Sequence, residues 1–151
     1  MAQVRIRAVE SHDAAVWAAM RSALWPDADN DELAREARAF VEGSETILDA
    51  AMIAEEASHA VGFIEIAIRA FSDGCDSMPV PHVEGWYVEE SVRSRGIGRA
   101  LMRAAEDWAR SRGFTELASD SELDNPAAQS AHKHCGFEEV DRIVKFRKAL
   151  S

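Results

Sequence analysis

The sequence predicts a mixed α/β fold in one domain over residues 1–151, and three observations predict it. Segments with the two-residue period of strands alternate along the chain with segments of helical period. Two strand-like segments, Thr46–Glu55 and Ala60–Arg69, are separated only by the polar link Glu56–His59, as in a hairpin. The most amphipathic segment, Gly96–Arg112, follows closely on a strand and opens with two glycines.

From the N-terminus, Gln3–Val9 alternates, with Val4 and Ile6 on one face, and reads as a strand. Asp13–Leu24 reads as a helix ended by Pro26 after Trp25. Asp29–Glu42 reads as a second helix, with Gly43 just past its end. After the hairpin, Ala70–Pro81 holds Gly74, Pro79 and Pro81 and is expected to be a loop. His82–Val88 reads as a strand. In the helix that follows, Ile97, Ala100, Leu101, Ala104, Ala105 and Trp108 share one stripe, and Gly113 ends it. Thr115–Ser119 is expected to be a short strand. Asn125 caps a fourth helix with Pro126 at its first position, and Gly136 closes it. Phe137–Arg147 is expected to supply the last strand or strands. Trp17 and Trp108 are expected in the core.

Bulk properties narrow the function. With 151 residues and a 47% apolar fraction, the chain can bury a substantial core. No apolar run approaches the ~20 residues of a membrane span. The N-terminal segment carries Arg5, Arg7 and Glu10, so no signal peptide is visible. Two cysteines, Cys75 and Cys135, imply no disulfide framework, and a cytoplasmic setting is expected. A formal net charge of −10 disfavours nucleic acid and favours a cationic ligand, beyond the solubility that acidic surfaces confer.

The sharpest local signal runs from Val88 to Leu101. A strand enters a short turn, Arg93-Ser94-Arg95-Gly96-Ile97-Gly98-Arg99, and two glycines open the amphipathic helix. A helix start leaves backbone N–H groups unpaired and carries about half a positive charge, so it attracts anions. Gly96 and Gly98 let a phosphate approach the backbone, and Arg93, Arg95 and Arg99 add positive charge to an acidic chain. Pyrophosphate binding is expected here.

The spacing Arg-x-x-Gly-x-Gly after a strand resembles the Gcn5-related N-acetyltransferase (GNAT) family, and the order of elements matches over nearly the whole chain. A second block, Asn125-Pro126-Ala127-Ala128 through His132 and Cys135-Gly136-Phe137, resembles the family's other signature. The resemblance implies a central mixed, mostly antiparallel sheet flanked by about four helices. Its fourth and fifth strands would splay apart at a bulge. It implies acetyl-CoA as cosubstrate and no metal. Backbone groups of Trp86, Tyr87 and Val88 would meet the pantetheine arm and polarise the acetyl carbonyl. Ser94–Arg99, with Arg93, would hold the pyrophosphate, and Asn125 would touch the arm.

Within that family the chain resembles the aminoglycoside 6'-N-acetyltransferase branch. The matching blocks are Leu24-Trp25-Pro26, Gly74-Cys75-Asp76-Ser77, Val83-Glu84-Gly85, Ala118-Ser119-Asp120 and Glu138-Glu139 ahead of Asp141-Arg142. The resemblance puts Trp25, Phe71, Glu84, Asp120 and Asp141 around an aminoglycoside. It also implies a homodimer paired through the C-terminal halves, with Phe71 near the partner. Phe71 stands where that branch carries a hydroxylated aromatic, and Ala28 where it carries a histidine, which leaves drug preference open. Acetylation of a polyamine or a peptide N-terminus, and a coenzyme A-binding module without turnover, are the competing readings.

The acidic residues point the same way. Carboxylates follow Trp25, flank the expected fifth strand and begin the last one. Each exposed ion pair is worth only ~0.2–1 kcal/mol, so a polycation suits several together. An acceptor ammonium must lose a proton before it attacks a thioester, and Glu84 and Asp120 are candidates to orient and deprotonate it. A thiolate leaving group must be reprotonated. Many family members use a tyrosine on the fourth helix, where this chain has His132, so His132 is a candidate acid or an ordinary helix-face histidine. Cys135 lacks an evident base and fills an apolar slot. His132 and His134 face apart on a helix and make a poor metal pair.

Overall fold

The two-residue period of the strands sends alternate side chains to two different helix layers. The structure, a computed structural model, describes residues 3–44 and 46–151. Strands β1 (Val4–Ala8), β2 (Ala50–Glu56), β3 (His59–Arg69) and β4 (Val80–Val88) form one antiparallel sheet in chain order. Ile53, Phe63 and Ala67 pack against Trp17 and Met20 of α1 (Ala14–Leu24) and Ala37 of α2 (Asn30–Val41). On the other face Ala54, Ile64, Ile66 and Val83 meet Ile97, Leu101, Met102 and Ala105 of α3 (Ile97–Ser111). The last helix, α4 (Pro126–His134), lies beyond α3 in sequence.

Local chemistry sets the element ends. A single 3-10 turn, Ser11–Asp13, precedes α1, where Asp13 takes two hydrogen bonds from Arg7 at 2.7 and 2.9 Å. Asp29 caps α2 by accepting from the N–H groups of Asp31 and Glu32. The hairpin turns through Ala57 and Ser58, both in the left-handed region (φ 49° and 66°), so β3 starts at His59. Trp17 is fully buried, as expected, whereas Trp108 is half-buried beneath Arg112.

One irregularity in β4 matters most. Glu65 pairs with Gly85 and Ile66 with Val83, which leaves Glu84 without a partner. This is a β-bulge, one extra residue on β4. Val83 packs on the α3 side, and so does Trp86, whose indole donates to Gly98 O. Residues three apart in a regular strand face opposite ways; the extra residue brings both to one side. Gly85 fits because a β-carbon there would lie 2.8 Å from Trp25 and 3.1 Å from Phe63 and Glu65.

Under the bulge, Glu65 of β3 is 1% exposed. It accepts from Arg21 of α1 at 3.0 and 3.1 Å and from the Trp17 indole at 3.2 Å. Arg21 continues to Glu36 and Leu33 O on α2 and lies over Trp25. Burial pushes the Glu65 carboxyl up, and the Arg21 contact pulls against it.

Two expected strands differ. Of Thr115–Ser119 only Ala118 pairs, in a parallel bridge to His82, with Val83 N–H donating to Ala118 O (2.8 Å) and Ala118 N–H to Pro81 O (2.9 Å). Beyond that bridge the segment leaves β4, which is the expected splay. The last strand over Phe137–Arg147 is not formed. Its alternation satisfies a strand pattern, but no strand of this chain pairs with it among the described residues. Its apolar side chains beyond Phe137 therefore stay largely exposed, Phe146 at 92%. Phe137 at its start packs on the α3-side core, and Val140 lies against Gly74.

Arg21→Met would strand Glu65 as a buried, uncompensated charge. The expected loss is about 3–5 kcal/mol in urea denaturation, largely recovered by Arg21→Met with Glu65→Leu. A loss below about 1 kcal/mol would remove the pair from the account of stability.

Candidate active site

Two features meet at the splay: an uncapped helix start and a charged cluster on the bulge. After β4 the chain makes one 3-10 turn, Glu90–Val92, and runs through Arg93 in extended conformation. Ser94 and Gly96 take positive φ (66° and 82°), and α3 begins with no side chain capping it. Its first N–H groups are thus left for an anion. Ile97 is buried and anchors the turn on the sheet, and Gly98 leaves room beside the Trp86 indole.

The three arginines brace this turn. Arg93 donates to Val88 O (2.8 Å) and lies over Tyr87. Arg95 pairs with Glu56 at the end of β2. Arg99 donates to His134 O (2.9 Å) at the end of α4. The loop's shape is therefore held by its own arginines. Antiparallel ladders alternate which residues turn their backbone to the partner. Glu89 N–H donates to Val61 O (2.8 Å), so Tyr87 turns to β3 while Trp86 and Val88 turn to the splay.

The charged cluster centres on Glu84. Its two oxygens receive a bidentate fork from Arg69 of β3, both bonds at 3.0 Å. His82, 2% exposed, brings Nδ1 within 2.6 Å of Glu84 Oε2. The contact lies off the N–H line, so Nδ1 has no aligned hydrogen bond. On its other side, His82 Nε2 is 3.6 Å from Asp120 Oδ2. Burial works to raise the Glu84 carboxyl, but His82 and Arg69 outweigh it and hold it below the usual carboxylate range.

A cleft of about 1000 Å³ opens beside this cluster. Phe71, Asp120, His132 and Asp141 line it, together with His82 and Arg69. Its wall carries seven carboxylates, Asp73, Asp120, Glu122, Asp124, Glu138, Glu139 and Asp141, against Arg69, Lys133, Arg142 and Lys145. That balance favours a cationic ligand. Trp25 is not on this wall; it packs over Phe63 and against Gly85. Glu84 sits behind the lining residues, reached through Arg69 and His82.

His132 is wedged edge-on between Trp86 and Phe137, ring centroids 5.2 and 5.3 Å away. Nδ1 lies 2.7 Å from Ala128 O and Nε2 2.7 Å from Ser119 Oγ. A neutral ring here donates from Nδ1 to Ala128 O and accepts at Nε2 from Ser119 Oγ. Asn125 Oδ1 accepts from Ala128 N–H as the α4 cap. Burial pushes the Cys135 thiol up, away from nucleophilic use.

Not every acid faces the cleft for a ligand. Asp29 is a cap, Glu116 holds the N–H groups of Asp76 and Ser77, and Glu139 pairs with Arg142 (2.6 Å). Sequence reasoning missed Arg69, His82 and Ser119. The available signal was polar residues within or beside otherwise apolar strand segments.

Comparison with known proteins gives concordant relatives. A profile described as "Acetyltransferase (GNAT) family" matches residues 14–137. An aminoglycoside N(6')-acetyltransferase type 1 of Klebsiella aerogenes is 45% identical over 146 residues, 96% of each chain. An aminoglycoside N-acetyltransferase, AAC(6')-Iy, solved with CoA, superposes with a TM-score of 0.90 at 32% identity, covering 99% of this chain and 97% of that one. The same enzyme with the bisubstrate analogue CoA-S-monomethyl-acetylneamine gives 0.89 at 32%, covering 98% and 99%. The uncapped glycine turn at the splay, set on a fold shared along almost the full length of these relatives, belongs to an acetyltransferase: the chain is a member of the GNAT family.

Proposed function

We propose that this acetyltransferase transfers the acetyl group of acetyl-CoA to the 6'-amine of aminoglycosides by direct attack in a ternary complex, and so confers aminoglycoside resistance. The observation that carries this reading is the carboxylate-rich cleft beside the bulge, next to the uncapped start of α3. The names of the relatives support the substrate class. Residues 1–151 act as one such domain, because both core layers share β2 and β3.

Acetyl-CoA supplies an acetyl group activated as a thioester. Gly96, Ile97, Gly98 and Arg99 offer the pyrophosphate their backbone, with Arg93, Ser94 and Arg95 shaping the turn. Trp86 and Val88 offer backbone groups to the pantetheine arm, with Tyr87 between them and Asn125 at its flank. Asp120, 67% exposed at its side chain, holds the acceptor ammonium and accepts its proton. Glu84 supplies fixed negative charge, its oxygens already engaged by Arg69. Phe71 and Asp141 contact the drug from the cleft wall, and Trp25 supports the bulge from behind. His132, as imidazolium, donates from Nε2 to Ser119 Oγ, and Ser119 passes its hydroxyl proton to the leaving thiolate, which leaves the ring neutral.

A homodimer completes the assembly. The exposed apolar residues Val144, Phe146 and Leu150 lie in the unpaired C-terminal segment, and Phe71 is exposed on the same cleft. Such an apolar surface suits a second copy. Among the described residues no helix is long and apolar enough to cross a membrane. The cytoplasm is the proposed setting.

Gly98→Val would set its branches against the Trp86 ring, 3.4 Å from the new β-carbon, and push the turn off the position that holds the pyrophosphate. Acetyl-CoA affinity measured by calorimetry is expected to fall at least about tenfold, the effect of losing a close backbone approach, in a variant shown by circular dichroism to be folded. Wild-type affinity in the folded variant would refute the loop assignment.

Asp120→Asn is expected to lower kcat/KM for a kanamycin-type substrate about 10²-fold, and Glu84→Gln to lower it in the same direction, with acetyl-CoA binding unchanged. NMR of the product should place the acetyl group on the 6'-nitrogen. Acetylation at another position, or preferred turnover of polyamines or peptides, would overturn the substrate. Coenzyme binding with no turnover of any amine would leave a binding module.

Light scattering at assay concentration is expected to give twice the 16.6 kDa chain mass. A fully active monomer would contradict the dimer.

A further inference from the structure

We infer that His82 is a positioning residue that joins Glu84 and Asp120 into one unit and takes up, through Asp120, the proton lost by the acceptor ammonium. The inference rests on the reading of Asp120 and Glu84 given above. It starts from a buried group that this reading leaves unused. A histidine in the middle of a strand, 2% exposed, is retained against the cost of burying a polar ring. Its Nδ1 has no aligned hydrogen bond. A ring with a purely structural role would be expected to satisfy both nitrogens.

Geometry gives that ring a task. His82 lies at the last point where β4 and the segment through Ala118 still pair, immediately before they part. There it touches both acids, 2.6 Å from Glu84 Oε2 and 3.6 Å from Asp120 Oδ2. It also reaches the cleft wall. The charged groups that face it are Glu84 from β4, Arg69 through Glu84 from β3, and Asp120 from the segment after Ala118. Glu84 is a poor place for a proton, because a guanidinium fork occupies both its oxygens. Asp120 is exposed and able to meet the substrate. Imidazole is the side chain that exchanges a proton near neutral pH, and here it lies within 2.6 Å of the Glu84 carboxylate.

The step balances as follows. An N–H bond of the ammonium breaks and the nitrogen keeps the electron pair. The proton passes by way of Asp120, which begins and ends as carboxylate, and forms an N–H bond at His82 Nε2. The imidazolium, flanked by two carboxylates, later returns the proton to water in the cleft. The 3.6 Å gap closes by rotation of Asp120; catalytic hydrogen bonds are often long in the free enzyme.

The test compares His82→Gln and His82→Asn with wild type. Glutamine keeps a polar atom toward Asp120 and asparagine one toward Glu84, and neither exchanges a proton. Full steady-state kinetics with a kanamycin-type substrate and acetyl-CoA are measured from acid to alkaline pH. Both variants are expected to lose about tenfold or more in kcat with little change in aminoglycoside KM. In wild type, protonation of His82 blocks proton uptake, so kcat falls as pH drops through its titration. That part of the acidic limb should vanish in the variants. In wild-type enzyme, the His82 ring signals in ¹H–¹⁵N spectra should titrate in step with the limb, which keeps the test available if a variant fails to fold. Wild-type kcat and an unchanged pH profile in either variant, or a ring signal flat across the limb, would overturn the inference. If Asp120→Asn and Glu84→Gln also keep wild-type kcat/KM, the reading beneath it falls too. If those two variants lose activity while the His82 variants do not, only the role of His82 falls.

Discussion

Glu84 has no partner across the β3–β4 ladder, and that unpaired residue decides which groups meet at the site. The half-turn it adds places Val83 and Trp86 together against α3. It frees Glu84 for Arg69 and His82, and it brings Gly85 under Trp25. Regular pairing would have sent Trp86 away from Gly98 and broken the link between the sheet and the glycine turn. The buried Arg21–Glu65 pair lies directly behind this irregularity and fastens α1 to the same point of β3. An ion pair is an expensive way to fill a core. Here it also meets the polar edge of Trp17 and the carbonyl of Leu33, so every charged atom has a partner.

The acidic surplus divides into two populations. Some carboxylates do internal work: Asp13 receives Arg7, Asp29 caps α2, and Glu116 ties down the chain at Asp76 and Ser77. Others, Asp120, Glu122, Asp124 and Asp141 among them, stand on the cleft wall. Net charge alone does not separate the two, because the distinction depends on which backbone or guanidinium group lies nearby. The three arginines of the glycine turn repeat the point. They raise the local potential, but their hydrogen bonds go to Val88 O, Glu56 and His134 O.

Much of the fold was legible because it rests on local rules. The stripe in α3, the Asn125 cap and the hairpin follow from period and turn chemistry, and all appear with boundaries displaced by only a few residues. The glycine turn was legible because positive φ and an uncapped helix start are written in the residue types. The last strand was not, because alternation records a capacity to pair and not the presence of a neighbour. Val140, Val144 and Phe146 show strand-like spacing in a segment with no ladder. The triad of Arg69, His82 and Glu84 was half-hidden for a related reason. Glu84 stood out as a carboxylate near the expected site, but Arg69 reaches it from a neighbouring strand, and His82 aligns with it only through the bulge. His132 was found by its place on α4, while its engagement with Ser119 and Ala128 needed the packed ring.

The hairpin tip carries a consequence for how this chain can vary. Surface turns between strands are where insertions and circular breaks are ordinarily tolerated. The turn at Ala57 and Ser58 is different, because Glu56 immediately before it grips Arg95 across 39 residues of sequence. Lengthening this turn would shift a residue on which Arg95 of the glycine turn leans. A permissive-looking surface turn is thus under the same constraint as the glycine turn before α3. Fusion partners, tags and natural length variation belong instead in segments that no binding-loop side chain reaches, such as Gly43–Ser44 after α2.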